Sequence, residues 1–242
     1  MKKKTIAYTD MEIEKHSDLV AEPQYDLFFN NGENERREDG TLRVLSLFSG
    51  CGGMDLGLEG GFICHNHSVN NPSWVHHDVN DDWVLLQRNR FRTVFACDIL
   101  EEARLTWLRY MSRFHVNPDI YHLESIVDLV KLHREGNANV FPSDIDVVTG
   151  GFPCQDFSVA GKRKGFDSSV SHNGERRLDD DPTEETRGKL YMWMKQVVDI
   201  VRPKMFIAEN VKGLVSLGDV KDTIQRDFSS ANGNDYIVLA PQ

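Results

Sequence analysis

No apolar run in this 242-residue chain approaches the roughly 20 residues that a membrane span needs. The start, Met1-Lys2-Lys3-Lys4, is basic, but the mostly polar stretch from Thr5 to Asp18 provides no signal-peptide core. Cysteine is scarce. Cys51, Cys64, Cys97 and Cys154 show no CxxC spacing and read as cytosolic thiols rather than a disulfide framework. Internal repeats are lacking. Positive charge is short too, with 28 Lys and Arg against 38 Asp and Glu and a net charge of −10. These absences argue against secretion, membrane insertion and a basic nucleic-acid coat protein, and they predict a cytoplasmic location. They leave room for an enzyme that grips DNA through one local basic face, because net charge and local field differ. Hydrophobic residues make up 40 % of the chain, enough for a real core in one large domain or two small ones.

Residues 1–40 read as an acidic arm. Acids dominate from Asp10 to Asp39, and Asn30-Asn31-Gly32 is rich in turn formers. This arm is expected to be partly disordered, with a short helix around Met11 to Leu19. From Leu42 strand and helix alternate. Strands are expected at Leu42–Leu47, Thr93–Cys97, near Ile120, at Asp144–Thr149 and at Lys204–Ala208, with a sixth starting over Tyr236–Leu239. Helices are expected over Met54–Glu59, Leu100–Phe114, Ser125–Arg134, Gly188–Val201 and Asp219–Phe228. The fourth has Leu190, Trp193, Met194, Val197, Val198 and Val201 at helical spacing. Such alternation predicts an α/β domain with a mostly parallel sheet, whose sites lie at the carboxyl ends of its strands. Two segments, Cys64 to Arg92 and Phe166 to Glu185, read as long polar loops interrupting the pattern.

Three segments at strand ends carry candidate chemistry. Phe48-Ser49-Gly50-Cys51-Gly52-Gly53 is a glycine-rich strand-to-helix turn, where backbone can approach a ligand closely. Gly50 and Gly52 fill two places of the dinucleotide fingerprint, but Asp55 stands at the third, which disfavours a nicotinamide dehydrogenase. Another nucleotide-like cofactor fits, with Asp98 accepting from ribose hydroxyls. Packing alone is the bland alternative. The second segment is Gly150-Gly151-Phe152-Pro153-Cys154-Gln155. A cysteine beyond a strand end, near Lys162, Arg163 and Lys164, suits a nucleophile, because positive neighbours favour the thiolate. A buried structural thiol is the alternative, and it is the reading adopted for Cys51, Cys64 and Cys97. The third is Ala208-Glu209-Asn210-Val211. Glu209 follows an apolar strand, so a partly dry pocket is expected to keep its carboxyl able to donate a proton. A capping or salt-bridging role is the alternative. His65, His67, His76 and His77 with Cys64 fit no standard zinc spacing, so no metal site is expected.

Taken together, these segments resemble the DNA (cytosine-5) methyltransferases of bacterial restriction-modification systems. Leu45 to Gly53 is similar to the family's first motif, and Gly151 to Gly161 to its catalytic loop. Thr186 to Tyr191 is similar to the start of the next helix, and Glu209 to Gly213 to the motif with the catalytic glutamate. The resemblance runs from about Leu42 to Leu239. It implies a Rossmann-like S-adenosylmethionine-dependent methyltransferase fold over 41–242, with S-adenosyl-L-methionine as cofactor. It implies Cys154 as nucleophile toward C6 of cytosine and Glu209 as its catalytic partner. Cofactor contacts are implied for Phe48, Ser49, Gly50, Cys51, Gly52, Asp98, Ile99, Glu124, Pro153 and Leu190. Double-stranded DNA with a flipped cytosine is the implied substrate, met by Gln155, Ser158, Lys162, Arg163 and Lys164.

Two departures stand out. Asp98 replaces the usual glutamate, and the sequence stops at Gln242, where the family continues into an arginine motif, a target-recognition domain and a returning C-terminal segment. The chain is therefore expected to be the N-terminal catalytic portion, with a partner chain or further sequence bringing recognition. A non-catalytic S-adenosylmethionine-binding or DNA-associated remnant is the alternative.

Overall fold

A computed structural model describes residues 40–114, 116–136, 140–153, 189–210, 220–233 and 236–239. The expected acidic arm, Cys154 with the loop behind it, and the Phe166 to Glu185 insertion lie outside the described residues. So do the last residues of the Glu209 to Gly213 motif.

The central strand, β1 (Leu42–Leu47), carries Leu42, Val44, Leu45 and Leu47 and is buried from Val44 onward because it is covered on both faces. It pairs in parallel with β5 (Phe91–Asp98) on one side and β7 (Val147–Gly151) on the other. β6 (Tyr121–Leu123) extends the sheet beyond β5, and β8 (Met205–Glu209) extends it beyond β7, both in parallel. The order is β6-β5-β1-β7-β8. The strand period of two sends Leu45, Leu47, Phe95 and Cys97 to one face and Ala96 to the other.

Helices cover both faces. On the larger side lie α3 (Ile126–Arg134), α4 (Leu190–Val201) and α5 (Val220–Ser229). The helical period gathers Trp193, Met194, Val197 and Val198 of α4 into that core with Ile224 and Phe228 of α5. On the smaller side, α1 (Gly53–Glu59) and α2 (Glu101–Met111) contribute Leu56, Trp107 and Met111. Gly150 lies where β7 crosses α4: a Cβ there would sit 2.9 Å from Met194 Sδ and 3.4 Å from Leu47 Cβ. This is an α/β fold with a parallel five-stranded sheet, consistent with a Rossmann-like methyltransferase.

Four expectations need correction. The Cys64 to Arg92 segment is no plain loop. It builds β2 (Ile63–His65), β3 (Val75–Asp78) and β4 (Trp83–Leu86) into an antiparallel sheet of order β2-β4-β3. Its hairpin turns on Asn80, whose side-chain oxygen accepts from the amides of Asp82 and Trp83 at 3.0 Å each. The strands are only three or four residues long, which hid them. The fourth strand of the main sheet begins at Val147, not Asp144, because Asp144 sits at φ 56° and cannot continue a strand. Residues 236–239 form no strand. Tyr236 packs edge-on against Phe206, while Ile237 and Leu239 are 91 % and 87 % exposed. Finally, Cys51 is exposed rather than a buried structural thiol, whereas Cys97 is buried and Cys64 is intermediate.

Candidate active site

The carboxyl ends of β1, β5, β7 and β8 carry the candidate residues. After β1 the chain enters left-handed backbone three times, at Phe48 (φ 52°), Gly50 (φ 51°) and Gly52 (φ 86°). L-residues resist that conformation, so glycine serves at two of the three positions. The turn is tied to β5 from several directions. Ser49 N donates to Cys97 O at 2.9 Å. Ser49 Oγ accepts from Cys97 N at 3.2 Å and donates to Ser46 O at 3.0 Å. Burial pushes the Cys97 thiol up to about 12, so it stays protonated and inert.

Asp98, the last residue of β5, holds this turn. Its Oδ2 accepts from Gly50 N at 2.9 Å, and Oδ1 accepts from Ile99 N at 2.8 Å and Leu100 N at 3.1 Å. A carboxylate offers about four acceptor sites. Three backbone amides occupy most of them, leaving roughly one for a ligand hydroxyl. Among the described residues there is free space above the turn: a Cβ on Gly50 would meet none of them within 4 Å. An open glycine cradle beside a carboxylate with spare acceptor capacity fits the ribose end of a nucleoside cofactor.

Beneath the turn lies a polar pair that sequence reading missed. Asp55, in the first turn of α1, is fully buried, and its Oδ2 accepts from Trp107 Nε1 at 2.6 Å. Burial, with Glu59 nearby, pushes the Asp55 carboxyl up to about 6, against the lowering effect of Ser46 and Trp107. Tyr121 stacks obliquely on Trp107, with ring centroids 5.1 Å apart, and donates from its hydroxyl to Gly50 O at 3.2 Å. In sequence Asp55 stands out only as a misfit for the dinucleotide fingerprint. A carboxylate amid the apolar Met54 and Leu56 was the available signal.

Across the sheet, β7 and β8 bring the second and third segments side by side. Gly151 pairs in register with Glu209, and a Cβ on Gly151 would lie 3.2 Å from Glu209 Oε2. Asn210 Nδ2 donates to Phe152 O at 2.9 Å, tying the Glu209 strand end to the chain just before Pro153. In sequence Asn210 stands out only as the residue after Glu209; its structural part is this tie. Phe152 itself is buried and faces Tyr191.

The sequence comparisons agree with this fold. The family model for C-5 cytosine-specific DNA methylase matches residues 84–239. The chain belongs to that family. It is 32 % identical over 194 residues to the type II methyltransferase M.BsuRI of Bacillus subtilis, covering 78 % of this chain and 37 % of that protein. It is 31 % identical over 222 residues to the type II methyltransferase M.BspRI of Lysinibacillus sphaericus, covering 91 % and 44 % respectively. The DNA (cytosine-5-)-methyltransferase M.ApeKI of Aeropyrum pernix is 33 % identical over 195 residues, covering 77 % and 32 %. The chain thus spans less than half the length of these three relatives.

As a cytosine-5 methylase family member, the chain places its remaining candidate residues unevenly. Ile99 is 40 % exposed beside the turn, as an apolar wall for a ligand would be. Glu124, just past β6, is exposed and sits 3.6 Å from His122 Nδ1. Leu190 is 3 % exposed and belongs to the core under β7. Pro153 is half-buried at the described end of the second candidate segment. Glu209 is exposed, not in the partly dry pocket expected of it, because β8 is the last strand on its side of the described sheet. Cys154, Gln155, Ser158, Lys162, Arg163 and Lys164 lie outside the described residues. No helix among the described residues is long and apolar enough to cross a membrane.

Proposed function

We propose that this chain carries the methyl-transfer machinery of a DNA cytosine-5 methyltransferase, and that Cys154 and Glu209 act on a cytosine flipped out of the duplex. The observation that carries this reading is the pairing of Gly151 with Glu209, together with the Asn210 tie to Phe152. It brings the segment leading to Cys154 and the candidate glutamate to one end of the sheet, the same end as the glycine turn. Phe48, Ser49, Gly50, Cys51 and Gly52 would hold S-adenosyl-L-methionine, with Asp98 taking one ribose hydroxyl. When bound, the cofactor supplies an activated methyl group as electrophile.

The chain's own residues make the ring reactive. Cytosine C5 is a poor nucleophile. The Cys154 thiolate adds to C6, which moves electron density to C5, and Glu209 hydrogen-bonds the N3 side of the ring to offset the charge that develops there. C5, made nucleophilic in this way, would take the methyl group in a new carbon–carbon bond; its proton would then pass to solvent water, expelling Cys154 as a thiolate and restoring the ring. Gln155 and Ser158 would line the path to the base, and Lys162, Arg163 and Lys164 would meet DNA phosphates. Relatives more than twice as long as the matched region support target recognition by further sequence or a partner chain.

A second reading draws on the exposure of Glu209: a cofactor-binding or DNA-associated protein without turnover. One experiment separates the two. The 242-residue chain is titrated with S-adenosylmethionine by calorimetry and assayed for methyl transfer to mixed-sequence DNA, alone and with a candidate partner chain. Saturable binding with C5 methylation in either arm supports the enzyme. Binding with no methylation in both arms supports the second reading.

A further inference from the structure

The turn's rigidity depends on what lies under it. A Cβ on Gly52 would sit 2.6 Å from Trp107 Cδ1 and 3.0 Å from Nε1, so the backbone of the turn rests directly on the indole edge. The indole is fixed by one polar contact, Nε1 to Asp55 Oδ2 at 2.6 Å, and by the tilted face of Tyr121. Tyr121 in turn holds Gly50 O. Both Asp55 and Trp107 are wholly buried, and among the described residues Asp55 Oδ1 has no partner within hydrogen-bonding distance, the Ser46 hydroxyl being the further side chain that interacts with the carboxyl. A buried carboxyl with one oxygen unmatched is costly to keep unless it serves a purpose.

We propose that Asp55 and Trp107 are a positioning pair for the cofactor turn, the buried carboxylate setting the plane of the indole on which Gly52 rests. This rests on the cofactor reading of the turn given above. An ionised acceptor makes a shorter and roughly twice stronger bond than a neutral one. The ionised form of Asp55 therefore holds Trp107, and through it Gly52, more firmly than the protonated form. Cofactor binding selects the firm turn, so binding favours ionised Asp55 and releases a proton where the group titrates. The groups facing Asp55 are Ser46 on β1, Glu59 on its own helix, Trp107 on α2, Cys97 on β5 and Tyr121 on β6. Burial holds Cys97 and Tyr121 protonated well into the alkaline range. With Asp55 pushed up to about 6, the linkage falls in the mildly acid range. The sign is that affinity weakens as pH falls through that value and is level above it.

The test reads the pair directly and binding separately. The indole Nε1–H resonance of Trp107, assigned by through-bond spectroscopy in the full chain, should move with a midpoint near 6, and the cofactor should lower that midpoint. The dissociation constant for S-adenosylmethionine by calorimetry should rise about fivefold from neutral to acid pH. Asp55→Asn keeps the shape without the charge, and should give a flat Trp107 resonance and lose the acid limb of binding. Trp107→Phe keeps the ring without the donor, and should bind about fivefold more weakly at neutral pH. A Trp107 resonance that is flat in the wild type overturns the pair, whether or not either variant folds. A titrating resonance with pH-independent affinity overturns the positioning role alone. Absence of saturable binding at every pH overturns the cofactor reading of the turn instead.

Discussion

Gly50 and Gly52 look equivalent in sequence but do different work. Both have left-handed backbone, so alanine strains either one by about 1 kcal/mol. Only at Gly52 does the new methyl group meet Trp107, at 2.6 Å, which adds overpacking of about 1–3 kcal/mol. At Gly50 it points into open space. Gly52→Ala should therefore lower both stability and cofactor affinity, while Gly50→Ala should leave the fold nearly intact and lose affinity. Urea melts beside calorimetric titrations check this. Equal losses of stability in the two variants would contradict the account.

Asp55 gives a second prediction at this scale. Its folded value of about 6 lies above the ordinary 3.8, so the native state binds the proton more tightly. The stability it contributes is full below about pH 4 and is lost as pH rises through about 6. Relative to Asp55→Asn, the wild type should lose about 1–2 kcal/mol between about pH 5 and about pH 8. A pH-independent difference in urea midpoints between the two would contradict it.

Among the elements, the main sheet was largely legible. Leu42–Leu47 appears with its expected bounds, and the five helices lie where the periodic apolar pattern puts them, within a few residues. Long, strongly periodic elements announce themselves because one face is buried. The antiparallel sheet over Ile63–Leu86 did not, since strands of three or four residues carry too few alternations to read, and tertiary anchoring decides them. That anchoring is visible. Gly60 and Gly61 turn with positive φ against Gln87 and Arg88, and Arg88 Nη2 reaches the buried Glu59 Oε2 at 3.0 Å with its guanidinium 4.1 Å from the Phe114 ring. Glu59 Oε1 also accepts from Thr93 N at 2.9 Å, which links the segment to the sheet. Replacing Arg88 by Met leaves Glu59 buried with one oxygen unpaired, and should cost about 3 kcal/mol. Thermal unfolding of Arg88→Met would show it, and an unchanged midpoint would contradict the anchor. At the candidate site, the motif order revealed which strand ends meet, but not the exposure of Glu209 nor the Asp55–Trp107 pair. Exposure depends on which strand ends the sheet, and the pair joins residues 52 positions apart.

For the whole molecule, a net charge of −10 repels DNA, so the proposed contact with DNA needs a local basic face. Lys162, Arg163 and Lys164 are proposed for it. Each phosphate contact contributes about 0.9 to the slope of log affinity against log salt, so neutralising all three should flatten that slope by roughly 2–3. Fluorescence anisotropy with duplex DNA over a salt series measures it, and an unchanged slope would place the contacts elsewhere.

The central claim is that Cys154 attacks cytosine with Glu209 beside it, and covalent capture tests it most directly. Duplex DNA carrying 5-fluorocytosine is incubated with the cofactor and the chain, alone and with a candidate partner chain. Fluorine cannot leave C5 as a proton does, so the Cys154 adduct should persist through denaturing gels. Cys154→Ala should abolish it, Cys51→Ala should retain it, and Glu209→Gln should slow its formation by about 10²–10⁴-fold. An undiminished adduct in Cys154→Ala, or a rate within about threefold of wild type in Glu209→Gln, would contradict the account.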